Sequence, residues 1–177
     1  MSPERFHDRV WDALAGVDRE AFQIVAAPAP DAGRIVEVEQ AVGFPVPAEV
    51  VAFVERANGL CVMAREEVWP EPEAFSVGPA WTFWRGLVLL GFDVEGLPAW
   101  ASVSGALVRL AEQEVDGVLP VLQIVGDDGR AWGVRADGVV VEVMEGDVYE
   151  LEGGLLDVVA EQVAELLQRQ RAFAERD

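Results

Sequence analysis

Apolar residues recur along this chain with two different periods, and the switch between them divides it into parts. In "SPERFHDRVWDAL" (2–14) Phe6, Val10 and Leu14 return every fourth residue, on one face of a helix. Ser2 is its expected N-cap, Pro3 its first helical position, and Glu4 lies in its first turn. "APAPDAG" (27–33) reads as a loop, with Asp31 capping a second helix whose buried stripe is Ile35, Val38 and Val42 and whose stop is Gly43. Pro47 and Glu49 suit the first turn of a third helix. On it Val50, Phe53, Val54 and Ala57 share a face, while Glu55 and Arg56 turn to water. Asn58-Gly59 is expected to end it, since both residues tolerate the left-handed conformation of a C-cap.

Residues 60–85 are irregular and rich in Pro, Glu and Trp; "LVLLGF" (87–92) is a short apolar run expected to be a buried strand. Residues 97–117 predict a helix, with Val103, Leu107, Leu110 and Ala111 on one side. The pattern then becomes that of short β-branched strands. "PVLQIVG", "AWGVR" and "VVVEVM" are separated by the turn signals "DDGR" and "ADG", and "DVYEL" adds a further strand. A closing helix from residue 153 buries Val159, Val163, Leu166 and Leu167 and carries arginines toward its C-terminal end. Helices, then a meander, then a helix predict an α+β single domain over 1–177: mainly antiparallel sheet, with N-terminal helices and a C-terminal helix packed against it. Its parts are an N-terminal helical extension (1–30), the second and third helices (31–60), the irregular segment (61–85), a sheet region with one helix (86–152) and the C-terminal helix (153–177).

Composition narrows the setting. A chain of 177 residues, 51% hydrophobic with six Trp and eight Phe, hides roughly 70% of its unfolded surface, enough for a real core. The N-terminus alternates charge without an apolar run, no stretch approaches a membrane span, and the single Cys61 has no intramolecular disulfide partner. A cytoplasmic protein is the expectation. All 13 positive residues are Arg, which, with abundant Ala, Gly and Val, points to GC-rich coding and a bacterial source.

Charge changes the picture more. The formal net charge is -19, which repels nucleic acid and anionic lipid and favours capture of basic partners. The acids are unevenly placed. Between Arg135 and Arg169 there is no positive residue, while Asp137, Glu142, Glu145, Asp147, Glu150, Glu152, Asp157, Glu161 and Glu165 accumulate. Glu66, Glu67, Glu71 and Glu73 form a second group in "REEVWPEPEAF".

Catalytic chemistry finds few residues to stand on. The one histidine, His7, sits beside Asp8 and is expected on a solvated helix face; one His and one Cys make no zinc site or nucleophile–base pair. "GDDG" (126–129) falls short of a calcium loop and is explained by a hairpin turn, and no glycine pattern cradles a phosphate. With 32 acids, chance carboxylate pairs are unavoidable and carry little information. The expectation is a protein that is not an enzyme and has no cofactor and no metal. Trp69, Trp81, Phe83 and Trp84 either pack in the core or line a groove for a small molecule or a protein.

One stretch is more specific. Glu39, two residues, Val42-Gly43, two residues, Val46-Pro47, then Glu49-Val50, Phe53-Val54 and Asn58-Gly59 resembles the N-terminal signature of the SUKH superfamily, the group of the fungal Smi/Knr cell-wall regulator and many bacterial proteins. Every spacing agrees; Val50 stands where the family often has an aromatic residue. The resemblance is specific over about residues 35–60 and consistent in order from "GLVLLGFD" to the closing helix. It implies that Glu39, Gly43, Pro47, Phe53, Asn58 and Gly59 mark the fold, with no active site among them. For bacterial members it implies immunity: binding and neutralising a polymorphic toxin, often one that acts on nucleic acid. The charge pattern meets that implication, because such a toxin has a basic cleft. The expected partner-binding residues are Glu142, Glu145, Asp147, Glu150 and Glu152 with Tyr149 as a central anchor, joined by Glu66, Glu67, Glu71 and Glu73. A regulatory scaffold of the Smi/Knr type, with no toxin partner, is the alternative.

Overall fold

A computed structural model describes residues 3–69 and 84–174. Among the described residues, five α-helices and a sheet of seven strands make an α+β domain, as the periodicities predict. The helices are α1 (Pro3–Leu14), α2 (Ala32–Val42), α3 (Ala48–Ala57), α4 (Val103–Glu112) and α5 (Leu155–Ala174). The strands are β1 (Phe22–Ala27), β2 (Asn58–Ala64), β3 (Gly86–Leu89), β4 (Val118–Ile124), β5 (Arg130–Arg135), β6 (Val140–Met144) and β7 (Asp147–Glu150). The strands lie side by side in chain order and every neighbouring pair is antiparallel.

Successive residues of a strand point to opposite faces, and the two faces are covered differently. Helices α1, α3 and α5 pack together and over one face, while α4 lies against β4. The larger core includes Val62, Val88, Leu122, Trp132 and Val140 from the strands with Phe6, Phe53 and Val159 from the helices. A smaller cluster, Leu110, Val115, Val118, Val141 and Val143, forms with α4. Adjacent Val140 and Val141 belong to different clusters, which is the alternation at work.

The helical stripes behave as their spacing requires. Phe6, Val10 and Leu14 are buried, and Phe6 meets Phe53 of α3 edge to face with ring centroids 5.7 Å apart. Gly43 takes the left-handed conformation (φ 83°) and closes α2 by donating its N–H to the Glu39 carbonyl. The Glu39 side chain in turn accepts the Val46 N–H at 3.0 Å, tying α2 to the start of α3. Pro47 sits one residue before α3, where its carbonyl accepts the N–H groups of Val50 and Val51. Asp31 precedes α2 without a side-chain capping bond.

Several expectations are corrected. Residues 22–27 form a strand inside what reads as a helical extension. β1 is an edge strand that turns only Phe22 and Ile24 to the core, too few inward positions to show as a period. The segment taken as irregular from residue 60 begins with β2, whose residues are almost all buried and therefore do not alternate. Asn58 is not a left-handed cap: its backbone is extended (φ -69°, ψ 124°), and Gly59 alone has positive φ (63°). β4 starts two residues before Pro120, which is accommodated at a register shift between Pro120 and Leu122 because proline has no N–H for the ladder. α4 is shorter than the predicted helix, and its inward residues are Val103, Ala106 and Leu110, with Ala111 exposed. His7 is not on a solvated face. Its side chain is 19% exposed, accepts a hydrogen bond from Trp11 Nε1 at 2.9 Å and packs 5.9 Å from the Phe53 ring.

Candidate functional site

In an antiparallel meander, alternate connections fall at the same end of the sheet. The β2–β3, β4–β5 and β6–β7 connections therefore share one end. Glu66 and Glu67 stand just beyond β2, Asp127 and Asp128 in the β4–β5 turn, and Glu145 at the tip of the β6–β7 turn. Glu66 and Glu67 of one expected group and Glu145 and Asp147 of the other thus lie at one end of the sheet, with Asp127 and Asp128 between them. Glu150, paired with Arg135, and Glu152 after it lie toward the opposite end. Strand spacing puts β2 roughly 24 Å from β7 and β4 roughly 14 Å from β7. Glu71 and Glu73 lie outside the described residues.

The β6–β7 turn has an unusual backbone. Met144 pairs with Asp147, leaving a two-residue loop in which both Glu145 (φ 53°) and Gly146 (φ 91°) are left-handed. That is the geometry a two-residue hairpin favours, and Asn or Gly meets it most easily. Here the first position is a glutamate. The Glu145 N–H donates to the Gly129 carbonyl at 2.8 Å, which fastens this turn to the β4–β5 turn beside it. Asp127 Oδ1 accepts the Gly129 N–H at 3.2 Å. Burial pushes the Asp127 carboxyl above its ordinary value, the Gly129 N–H and Arg130 oppose this, and the charges of Asp128 and Glu145 add to the rise.

Not every expected acid is free. Glu142 points to the Trp132 face, 15% exposed, ion-paired with Arg130, whose guanidinium stacks 4.6 Å from the Trp132 ring. Glu150 pairs with Arg135 at 2.7 Å, and Arg135 also reaches Asp137 at 3.2 Å. Glu66 pairs with Arg85 at 3.0 Å. Asp128 stands 3.9 Å from Arg109. Among the described residues Glu67, Glu145, Asp147 and Glu152 are exposed and make no ion pair. Arg19, Arg65 and Arg85 dilute the charge near β1 and β2, and Arg109 and Arg130 offset it at the β4–β5 turn, so the one-signed part of the rim is the β6–β7 turn.

β7 is an edge strand with all four residues exposed. Its outer row of backbone groups has no strand beside it among the described residues. Met144, Val148 and Tyr149, all more than 40% exposed, gather on this hairpin. The Tyr149 hydroxyl donates to Asp147 at 3.5 Å. The arrangement can therefore offer carboxylates, a half-exposed aromatic ring and an open strand edge to one partner. Reading the sequence missed Asp127 and Asp128, although "DDG" was visible as a turn; only the topology shows that this turn stands beside Glu145.

Elsewhere, the Cys61 thiol is buried and pushed up to about 11 by burial. Among the described residues no cluster of three His, Cys, Asp or Glu side chains is placed to hold a metal, and no helix is long and apolar enough to cross a membrane. No family model, curated protein or solved structure matches the chain.

Proposed function

We propose that this chain is a non-enzymatic, cytoplasmic protein-binding module of the SUKH type. Its role is immunity: it binds and neutralises a toxin of the same cell that acts on nucleic acid. The observation that carries the reading is the pairing of an acidic rim (Asp127, Asp128, Glu145, Asp147) with the open β7 edge bearing Val148 and Tyr149. Carboxylates steer a basic cleft to the surface, and a half-exposed Tyr with backbone edge groups supplies the short-range contacts. Glu142 and Glu150, held by Arg130 and Arg135, act in this reading as supports of the hairpin. The SUKH resemblance is supported by the work its marker residues do: Glu39 holds the α2–α3 corner, Gly43 closes α2, and Asn58 locks the start of β2.

The test is capture from native cell extract at low and high salt, with the wild-type chain and a Glu145→Lys, Asp147→Lys variant side by side. The expected result is one basic, toxin-like protein, retained less in high salt and lost by the variant. Equal capture by both proteins, or recovery of only non-toxin partners, would move the reading to a regulatory scaffold.

A further inference from the structure

A groove of about 390 Å³ lies between α2 and α4. Val38 and Val42 of α2 line it and are buried; Leu107 of α4 is half-buried, and Val108 is 60% exposed at its lip. Apolar surface thus runs from the floor to the lip, with Ser104 as a polar side chain in the lining. The charged residues lining it are Glu37 and Asp116, both exposed, and no cation lines it among the described residues. Glu37 is paired with Arg34 at 2.9 Å, and both side chains are open to solvent. The two helices have 11 and 10 residues, so each wall is roughly 15 Å long, about three helical turns.

We infer that this groove docks a short cationic amphipathic helix presented by a partner protein. Apolar anchors at helical spacing would seat on Leu107 and Val108, and flanking Lys or Arg would face Glu37 and Asp116. An anionic occupant is opposed by the net charge of -19, and so is a second copy of the chain. The inference goes beyond the acidic rim and does not depend on the partner being a toxin.

The test uses an amidated leucine–lysine peptide patterned at helical spacing and a scrambled peptide of the same composition, titrated into the isotope-labelled chain at about 0.15 M salt. The patterned peptide is expected to shift signals confined to 37–42 and 104–118 and to bind at least about tenfold tighter than the scrambled one. Val108→Asp separates seating from diffuse attraction. It adds negative charge at an exposed position, so general attraction would tighten binding, whereas loss of the apolar seat weakens it by about tenfold or more. Glu37→Gln with Asp116→Asn is also expected to weaken it. Glu145→Lys with Asp147→Lys, which would abolish capture by the rim, is expected to leave groove binding within about twofold. Equal binding of the scrambled peptide, binding by Val108→Asp as tight as wild type, or shifts centred on β7 would overturn the inference. So would a dimer of the chain alone that Val108→Asp dissolves, since a second copy would then own the groove.

Discussion

At the scale of single residues, Asn58 does the most. Its Oδ1 accepts the Phe92 N–H at 2.7 Å, and its Nδ2 donates to the carbonyls of Phe92 (2.9 Å) and Pro28 (3.0 Å). One fully buried amide thus joins the end of α3, the loop before α2 and the chain after β3. Asn58→Ala is expected to cost about 3 kcal/mol, because it strands buried backbone groups and loses three bonds; the midpoint of urea unfolding measures it. The backbone passes so closely here that a Cβ on Gly91 would lie 2.5 Å from the Gly59 nitrogen. Gly91→Ala should therefore destabilise the same junction. Cys61 gives a cleaner readout. With the thiol pushed up to about 11 and buried, it is expected to resist iodoacetamide at pH 8 in the native protein and to react quickly in urea.

Among the elements, the β4–β5 and β6–β7 turns are where charge and stability conflict. Asp127 is raised above 3.8 in the fold, so the folded state holds its proton more tightly than the unfolded chain does. Stability from this group is complete below 3.8 and is lost as pH rises through the raised folded value. Asp127→Asn keeps an oxygen for the Gly129 N–H, and is expected to melt higher than wild type at pH 7 but not below pH 3.8. Glu145→Asn supplies the residue that a left-handed first turn position prefers, and should stabilise by about 0.5–1 kcal/mol in thermal unfolding. If that variant also loses the partner, the glutamate is kept at the expense of stability. Legibility followed the same physics. Elements with several inward positions in register, such as α1, α3, α5 and the strands β4 to β6, showed in the pattern of the chain. β1 did not, with two inward residues, and Asn58-Gly59 read as a cap because its partners, Pro28 and Phe92, are distant in sequence. The acids of the rim were visible one by one; their neighbourhood depends on strand order, which periodicity does not contain.

For the whole molecule the excess of acid is a standing repulsion. Thermal stability is expected to rise as salt is added from low ionic strength to about 0.5 M, since screening shortens the reach of like charges to a few ångströms. A melting temperature that falls over this range would mean that the ion pairs outweigh the repulsion. The packing of α1 on α5 has another consequence. Residues 3–14 gain their full cover only from residues 155–174, so during synthesis the first helix emerges long before the last one exists. The β4–β7 hairpins need only short loops and can form as they leave the ribosome. Final closure waits for the last helix, and a nascent chain stalled before residue 155 leaves the side of α1 that α5 covers open to whatever chaperone stands at the tunnel exit.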